Sequence, residues 1–395
     1  MTILFLTLGF STDPRTSTIY NDLAGVFLKK GHTVYVACQG EKTQLEIFDG
    51  CRVLRVRVGP ITKCGLIRKG VASLLLPYLF IRAIQKQLSG IKFDLVLCST
   101  PPVTFGRIVR FIKRRDHAAS YLLLKDIFPQ NAVDLGLLRR NGPRVLLWQY
   151  FRRQERMLYE AADHIGCMSQ ANVDFLLSHN PGIDPARVEI CPNSLHSGEI
   201  ARSDGIRRRY GIPEEAVVFL LGGSLGLPQG LGFFTEVLRR QKDKPGRFFV
   251  VCGAGTGYAG LGEFLKREKL ADILLLPWLP GGEYDSLAAA CDVGIVTLDS
   301  RFTVPNFPSR ILGYMRCGLP VLAATDRASD LSEAIREGNF GWWCPSDDVG
   351  RMSALIDAIC EDPPEIRRRG ANARLYLEYN YTPELSFKII IRHFD

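Results

Sequence analysis

Short apolar runs alternate with helical patterns along the first half of the chain. The first helical segment, 18–30, has a clear end, because Lys29 and Lys30 fall in its last turn and Gly31 follows. Near-continuous apolar strands separated by helices are typical of a parallel sheet covered on both faces. The predicted strands of this half are 3–8, 33–38, 52–58, 94–99, 120–126 and 164–169.

The second half repeats this alternation after a polar stretch, 192–216, which we interpret as a linker. Near the end of the chain, Thr382 and Pro383 suit the N-cap and first position of a last helix. The pattern predicts an α/β protein with two Rossmann-like doubly wound domains, whose ligands bind at the carboxyl ends of the strands. The predicted strands are 217–223, 247–253, 272–278, 292–298, 320–325 and 341–345. The expected segments are 1–195, 196–375 and a C-terminal helical segment, 376–395, that packs back on the first domain.

The positive charge of the chain is concentrated in its first half. The 395 residues carry a net charge of +9, and residues 1–200 hold 26 Lys and Arg against 16 Asp and Glu. Within 52–156 the counts are 21 against 5. Such an excess predicts an anionic partner: nucleic acid, a phosphorylated substrate or an acidic membrane surface. No RRM, KH or helix-turn-helix pattern accompanies it, so we predict no nucleic-acid partner.

The eleven cysteines form no CxxC pair and no Cys/His group with the spacing of a zinc site. We interpret them as reduced thiols that pack as small hydrophobic residues in a cytosolic protein. The opening run, MTILFLTLGF, lacks the basic region of a signal peptide and predicts a first strand. The apolar stretch 71–81 is too short to span a bilayer.

Two stretches of the second half could hold an anion. In NFPSRILGYMRCGLPVLAATD (306–326), Ser309 and Arg310 stand at the start of a helix predicted over about 309–316. Helix N-terminal N–H groups and a guanidinium suit a diphosphate, although an ordinary capped helix with a solvated arginine explains the pattern equally well. The glycine-rich stretch 220–238 also precedes a helix, but it lacks the GK[ST] of a P-loop. CGAGTG (252–257) has Tyr258 where a dinucleotide fingerprint needs glycine, so we predict no nicotinamide site.

These stretches together resemble a known family. GGSLGLPQGL, VVCGAGTGYAGL, ILLLPWLPGGEYDSLAAACDVGIVTL, FPSRILGYMRCGLPVLAATD and GWWCPSDD occur in the order and spacing of retaining GT-B glycosyltransferases of family 4. In the first half, CSTPPVTFG, LKDIFPQNAVDLGLL and ARVEICPNSL resemble the branch that assembles capsule, O-antigen or colanic-acid polysaccharide. The resemblance implies a central cleft between the domains, with the nucleotide sugar on the second domain and the acceptor on the first. It favours a UDP-sugar donor over a GDP-sugar, hexosyl transfer, and a polyprenyl-diphosphate-linked acceptor.

The resemblance also implies roles for single residues. Ser309 and Arg310 would hold the diphosphate of the donor, and Asp126, which matches the Asp of a DxWP motif, would orient or help deprotonate the acceptor. Fixed N–H groups and Arg310 would stabilise the departing diphosphate, so a metal ion is not expected. The remaining donor-binding residues would be Gly223, Ser224, Gln229 and Gly253 near the diphosphate, and Trp278, Leu279 and Pro280 near the nucleobase.

The chain departs from the family pattern at three places. Ser224 and Gln229 stand where many relatives have Arg and Lys, which would leave Arg310 as the main cation. Pro305 and Gly313 stand where relatives carry a Glu-x7-Glu pair, so another residue would have to bind the ribose. A Gly-Gly pair of the first loop is also missing. Ser17 and Thr18, near the start of a helix, take its place beside the donor or acceptor.

A basic apolar segment predicts contact with a membrane. Segment 65–88 combines a broad apolar face with Arg68, Lys69, Arg82 and Lys86, and the segments 106–115 and 139–157 mix arginines with aromatics. We predict a protein peripherally bound to the inner face of the plasma membrane, the alternative being a core helix with solvated arginines. Two other functions stay open: a sugar-nucleotide epimerase, and a catalytically silent membrane-associated binding protein, which Gly313 would explain.

Overall fold

The computed structural model of the chain describes residues 1–13, 16–59, 66–142, 145–198, 200 and 205–394, without the side chains of 66–72. The chain divides into two compact units. The first contains Met1–Ser194 and Pro383–Asp395, and the second contains Leu195–Thr382. Each unit is an α/β domain built on one sheet.

The first unit is built on an eight-stranded sheet with the order β3-β4-β2-β1-β5-β6-β7-β8. Every pair of neighbouring strands is parallel except β3 with β4. The strand order reverses beside β1, which lies between β2 and β5. The strands are β1 (Thr2–Leu6), β2 (Thr33–Gly40), β3 (Gln44–Phe48), β4 (Cys51–Arg57), β5 (Leu95–Ser99), β6 (Ala119–Leu124), β7 (His164–Cys167) and β8 (Val188–Ile190). The helices are α1 (Ile19–Lys29), α2 (Leu66–Gln87), α3 (Gly106–Asp116), α4 (Gln130–Asp134), α5 (Val145–Ala161) and α6 (Gln170–His179).

The second unit is built on a six-stranded, all-parallel sheet with the order β11-β10-β9-β12-β13-β14, which reverses between β9 and β12. Its strands are β9 (Val217–Ser224), β10 (Arg247–Ala254), β11 (Ile273–Leu276), β12 (Val293–Thr297), β13 (Val321–Thr325) and β14 (Gly341–Pro345). Its helices are α7 (Ile206–Arg209), α8 (Leu231–Gln241), α9 (Tyr258–Glu268), α10 (Gly281–Ala289), α11 (Arg310–Arg316), α12 (Leu331–Gly338), α13 (Val349–Glu361) and α14 (Pro363–Asn380). The last helix of the chain, α15 (Pro383–Ile391), belongs to the first unit.

The structure confirms the two doubly wound sheets and every predicted strand, and it adds two strands. β3 is an antiparallel edge strand joined to β4 through Asp49 and Gly50, which both have positive φ. An Asp-Gly pair is a strong hairpin signal, but Leu45 and Ile47 are exposed, so β3 lacks the apolar pattern of the buried strands. β8 is only three residues long. The predicted strand 120–126 ends at Leu124, which leaves Lys125 and Asp126 in the loop beyond it.

The boundaries at the end of the chain differ from the expected ones. α14 is an uninterrupted helix of 18 residues that contacts α11, α12 and β14, so the second unit extends to Thr382 rather than ending at 375. The chain returns to the first unit at Pro383, where α15 begins. α15 contacts α1, and the rings of Phe27 and Phe387 meet edge to face with centroids 4.8 Å apart.

The interior of both units is apolar, and most cysteines belong to it. Ten cysteines in the described part of the chain are free thiols, and eight of them are buried. Burial raises the pKa of Cys252 to about 11 and that of Cys167 to about 12. These thiols therefore pack as small hydrophobic residues, as predicted.

Candidate active site

A glycine loop forms the carboxyl end of β9, beside the point where the strand order of the second sheet reverses. Gly222 is buried, whereas Gly223 and Ser224 are exposed. A Cβ atom at Gly222 would lie 1.9 Å from the Tyr284 hydroxyl, and one at Gly253 would lie 1.8 Å from the Gly223 carbonyl oxygen. Gly223 itself has φ +97°. The close approach of two strand ends and a tyrosine therefore requires glycine here and leaves the backbone open to a ligand.

Arg310, the first residue of α11, contacts this loop. Its Nη2 donates to the Ser224 carbonyl oxygen at 3.2 Å, and its Nη1 is buried without a hydrogen-bond partner in the described structure. A buried guanidinium N–H without a partner is rare and suits a bound anion. Ser309 is exposed, and it precedes α11 without capping it through its hydroxyl. α11 therefore begins one residue later than predicted and lacks a side-chain cap.

Tyr314 fixes the position of the glycine loop through hydrogen bonds. Its hydroxyl accepts from the Gly222 N–H at 2.9 Å and donates to the Ile295 carbonyl oxygen at 3.1 Å. Gly294 leaves room for the ring, since a Cβ there would lie 2.3 Å from it. Burial raises the pKa of Tyr314, so the hydroxyl stays protonated and able to donate. The sequence pattern did not single out Tyr314, although its position one turn after Arg310 places both on one face of α11.

The other predicted donor-binding residues are spread around this loop. The Gln229 side-chain oxygen accepts from the Gly226 N–H at 2.9 Å, and its carbonyl oxygen accepts from the Thr297 hydroxyl at 2.6 Å, so Gln229 closes its own turn. Trp278 is 65% exposed just after β11. A Cβ at Gly313 would meet no atom within 4 Å, so the position expected to carry Glu opens onto free space. Leu279 is half-buried, and Pro280 is exposed and precedes α10.

A second polar group lies at the carboxyl edge of the first sheet. Thr100 follows β5 and is buried, and its hydroxyl accepts from the N–H groups of Lys125 at 2.8 Å and Asp126 at 3.1 Å. Both residues follow β6, the neighbour of β5, and both are partly exposed. Thr100, which no sequence pattern singled out, thus fixes the backbone that carries Asp126.

The charges of Lys125 and Asp126 are coupled. Burial raises the pKa of Asp126, and the Lys125 ammonium opposes this shift. Burial lowers the pKa of Lys125 to about 7, opposed by Cys191 and Asp126. The Lys125 ammonium lies 4.2 Å from the centroid of the Tyr20 ring, and the Tyr20 hydroxyl lies 3.2 Å from that of Ser99. The site thus holds a carboxyl group whose pKa is raised and an ammonium group whose pKa is lowered, and such shifts are common at functional sites.

Ser17 and Thr18 shape the start of α1. Thr18 is the N-cap, and its hydroxyl accepts from the Asn21 N–H at 3.1 Å. The Ser17 hydroxyl donates to the Asp22 carboxylate at 2.7 Å. These bonds give both residues a role in the local fold, and their contact with a substrate stays a prediction.

Comparison with known families assigns both units. The model of "Glycosyl transferases group 1" matches residues 203–376, and the model of "Glycosyltransferase Family 4" matches residues 17–196. The chain belongs to the GT-B glycosyltransferases of this type. The group 1 match contains the Gly222–Ser224 loop and Arg310, and the family 4 match contains Thr100, Lys125 and Asp126.

Two relatives of this glycosyltransferase come from bacteria. WbjE of Pseudomonas aeruginosa, named as a glycosyltransferase, is 25% identical over 82% of this chain and 80% of its own length. WcaI of Escherichia coli K12, whose name assigns it to colanic acid biosynthesis, is 22% identical over 61% of this chain and 60% of its own length. HepE of Anabaena, solved in complex with UDP-glucose, has the same fold: its TM-score is 0.73 at 17% identity, with 100% of this chain and 99% of HepE covered.

The residues of this glycosyltransferase that were predicted to contact a membrane lie on α2. Arg82 and Lys86 are exposed there, whereas the side chains of Arg68 and Lys69 lie outside the described residues. Within the described part of the chain, no helix is both long and apolar enough to cross a membrane. The described residues also contain no group of three or more His, Cys, Asp or Glu side chains that could hold a metal ion.

Proposed function

We propose that this protein is a retaining hexosyltransferase that moves a sugar from a nucleotide diphosphate donor to a lipid-linked saccharide during the assembly of bacterial surface polysaccharide. The observation that carries the proposal is Arg310, which lies beside an exposed glycine loop in a glycosyltransferase fold and whose buried Nη1 has no hydrogen-bond partner among the described residues. The name of WcaI supports a role in polysaccharide biosynthesis. The UDP-glucose complex of HepE favours a UDP-sugar as the donor, with a GDP-sugar as the second choice.

In the donor complex, Arg310 binds the diphosphate. Its Nη2 is already held by Ser224, so the guanidinium is oriented before the donor arrives and Nη1 donates to a phosphate oxygen. Three further groups contact the phosphates. They are the exposed backbone at Gly223 and Ser224, the turn at Gln229 and the hydroxyl of Ser309. Because Gly253 has no Cβ atom, the ends of β9 and β10 can approach each other closely.

The nucleoside extends along the same edge of the second sheet. The exposed Trp278 ring, with Leu279 and Pro280, gives an apolar border for the base. Gly313 provides space but no carboxylate, so this protein holds its donor chiefly through the diphosphate.

During transfer, the bond between the anomeric carbon and the diphosphate oxygen breaks, and the acceptor hydroxyl oxygen bonds to that carbon on the same face. The hydroxyl proton passes to the departing phosphate. Negative charge grows on the diphosphate, so a preorganised guanidinium and N–H groups lower the barrier. Asp126 orients the acceptor hydroxyl and assists its deprotonation. Because these groups neutralise the diphosphate, we expect EDTA to leave the rate unchanged.

The acceptor is a polyprenyl-diphosphate-linked saccharide, and the protein meets it at the inner face of the plasma membrane. This places the first unit, with its excess of basic residues, against a bilayer that contains both the acceptor and anionic lipid. Ser17 and Thr18 border the acceptor or the donor.

The proposal is tested with a donor panel. The nucleotide sugar that is used should raise the unfolding temperature above its competitors. That donor, incubated with a short polyprenyl-diphosphate sugar, should give a product whose new linkage keeps the anomeric configuration of the donor by NMR. An inverted linkage would contradict the retaining mechanism. Failure of every UDP- and GDP-sugar to stabilise the protein or to be transferred would overturn the proposed function.

A further inference from the structure

A polar cavity lies at the carboxyl edge of the first sheet, the edge at which Asp126 also lies. Its volume is about 460 Å³. β2 ends beside it at Gly40, the antiparallel strand β3 begins there, and the loop after β1 contributes to its wall. Sheets of this type bind ligands at this edge. We call the cavity the edge pocket, and its polar side chains are those of Thr12, Glu41, Lys42, Gln44, Glu46 and Arg55.

Arg55 of β4 links three segments that line the edge pocket. Its Nε donates to the Glu46 carboxylate at 2.7 Å, its Nη1 to the Phe10 carbonyl oxygen at 2.9 Å and its Nη2 to the Thr12 hydroxyl at 3.2 Å. A Cβ atom at Gly40 would lie 2.7 Å from the Cβ of Arg55, so the glycine that ends β2 leaves room for this side chain. Arg55 therefore fixes the loop after β1 and the edge strand β3 relative to β4.

The loop after β1 is also attached to α1. The Asn21 side-chain oxygen accepts from the Ser11 N–H at 3.3 Å, and the Asn21 side-chain nitrogen donates to the Ser11 carbonyl oxygen at 2.8 Å. The same Asn21 oxygen accepts from the Thr18 hydroxyl at 2.5 Å. The wall of the edge pocket is thus positioned before a ligand arrives, which reduces the ordering cost of binding.

Two neutral groups of the edge pocket keep unused hydrogen-bonding capacity. The Thr12 hydroxyl oxygen accepts from Arg55, and its hydrogen has no acceptor among the described residues. The Gln44 side-chain nitrogen donates to Glu46 at 3.3 Å, and within the described part of the chain its side-chain oxygen has no donor. The pocket therefore offers one hydroxyl donor and one amide acceptor to a ligand.

The charges of the edge pocket balance. Glu41 and Glu46 stand against Lys42 and Arg55, and Glu46 is paired with Arg55 directly. A pocket without net charge gives no advantage to a phosphate or carboxylate ligand. The exposed Glu41 and Lys42 add one acceptor and one donor. Neighbouring donors and acceptors without net charge suit the hydroxyls of a neutral sugar, each of which both donates and accepts.

The edge pocket lies several strands away from Asp126. The order β2-β1-β5-β6 separates Gly40, at the end of β2, from Asp126, which follows β6. Neighbouring strands are about 4.8 Å apart, so the separation across the sheet is roughly 14 Å. A sugar unit with its linking oxygen extends roughly 5 Å, because its single bonds are about 1.5 Å long. This distance is therefore filled by about three sugars.

We propose that the edge pocket binds an internal neutral sugar of the acceptor saccharide, about three sugars away from the hydroxyl that reacts at Asp126. The inference rests on the proposed function for the nature of the acceptor and deepens it, because it assigns the length and charge of the saccharide. A long acceptor contacts both Asp126 and the edge pocket, whereas a single sugar reaches only Asp126. The protein therefore acts late in assembly, after other transferases have added the first sugars to the lipid.

The first test measures binding in the absence of a donor. Linear glucose and galactose oligomers of one to five units, in α and β linkages, are titrated into the full chain and followed by saturation-transfer NMR. Affinity should rise at least about tenfold between two and four units, where the oligomer becomes long enough to reach the edge pocket. Oligomers of galacturonic acid should bind no more tightly than the neutral ones. An affinity that does not rise with length, or a preference for the acidic oligomers, would overturn the proposal.

The second test changes exposed side chains of the edge pocket, whose loss should not disturb the fold. Glu41→Ala with Gln44→Ala should raise KM about tenfold for a short-chain polyprenyl-diphosphate acceptor that carries four sugars. The same variant should keep its KM for the acceptor with one sugar, its kcat and its Kd for the donor. This difference between long and short acceptors would not arise from a general loss of structure.

The matched control removes the same two types of side chain far from the edge pocket. Gln85→Ala with Glu160→Ala changes exposed residues near the C-terminal ends of α2 and α5, and the strands that follow these helices begin at the opposite edge of the sheet. This control should behave as the parent chain with both acceptors.

The outcomes separate this proposal from the proposed function. If the pocket variant transfers sugar with a normal KM for the long acceptor, or if its KM rises equally for both acceptors, the edge pocket is not an acceptor site and the proposed function is unaffected. If the parent chain transfers no sugar but binds the longer oligomers, and the pocket variant does not bind them, the proposed function fails and the saccharide site remains.

Discussion

At the scale of single residues, Arg310 is the clearest link between structure and chemistry. Removing a charge-assisted bond to the donor should weaken binding of the nucleotide diphosphate by about 1.5 to 3 kcal/mol in Arg310→Ala. Isothermal titration with the donor identified by the screen measures this change. Arg310→Lys should recover only part of the loss, since an ammonium cannot bind Ser224 and a phosphate as a fork.

A matched control isolates this effect. Arg267→Ala removes an exposed arginine of α9 that pairs with Glu268 and should leave donor binding unchanged. If Arg310→Ala binds the donor as tightly as this control, Arg310 is no part of the diphosphate site.

We expect Asp126 to act in the chemical step rather than in donor binding. Asp126→Asn should reduce kcat by about 100-fold or more, the usual range for a lost proton-transfer group, while the Kd of the donor stays nearly constant. The exposed Asp174→Asn on α6 serves as the control for a lost carboxylate. Normal turnover in Asp126→Asn would reduce Asp126 to a turn residue held by Thr100.

Lys125 should make stability depend on pH in a defined direction. Its pKa is about 7 in the folded protein and about 10.5 when unfolded, so between these values the unfolded chain binds one more proton. Stability from this group therefore rises with pH above about 7. The difference in unfolding free energy between the parent chain and Lys125→Met should grow in favour of the parent from pH 7.5 to 9 in urea titrations. A constant difference would show that the pKa of Lys125 is not lowered in the folded protein.

At the scale of elements, α11 positions the glycine loop Gly222–Ser224 through Tyr314. Tyr314→Phe keeps the packed ring but leaves the Gly222 N–H and the Ile295 carbonyl without their partner. The loss should lower the unfolding free energy by about 1 to 3 kcal/mol. It should also raise KM for the donor more than it lowers kcat, because the loop loses its position rather than a reacting group. The control Tyr379→Phe alters an exposed ring and should change neither the unfolding free energy nor KM for the donor. If both variants behave alike, Tyr314 does not position the glycine loop.

Elements were predictable from the sequence where burial gave them a pattern. Strands such as β5 and β12, buried at every position, were found, whereas β3, with exposed Leu45 and Ile47, was missed. Arg310 and Asp126, whose roles stay predictions, were singled out through motif order. Thr100 and Tyr314 were not, because their partners, Asp126 and Gly222, are 26 and 92 residues away. Such contacts depend on how strands neighbour one another in the sheet, which a local pattern does not contain.

At the scale of the whole molecule, the first unit is discontinuous in sequence and depends on the last helix of the chain. α15 buries Phe387, Ile390 and Ile391 in the core of the first unit. After α15, the Nε2 atom of His393 lies 2.8 Å from a carboxylate oxygen of Glu189 in β8. The second unit, Leu195–Thr382, is by contrast one unbroken segment. The two units should therefore respond differently to truncation.

Deleting 383–395 should destabilise the first unit alone, by about 3 kcal/mol or more, because it uncovers Phe27 and neighbouring apolar side chains on α1. In differential scanning calorimetry, the transition assigned to the first unit should shift to lower temperature. The transition of the second unit is identified by the isolated segment 195–382, which should fold by itself, and it should keep its midpoint in the truncated chain. An unchanged first transition would contradict the packing of α15 on α1. Loss of both transitions together would show that the two units unfold as one cooperative body, in which case the last helix stabilises the second unit as well as the first.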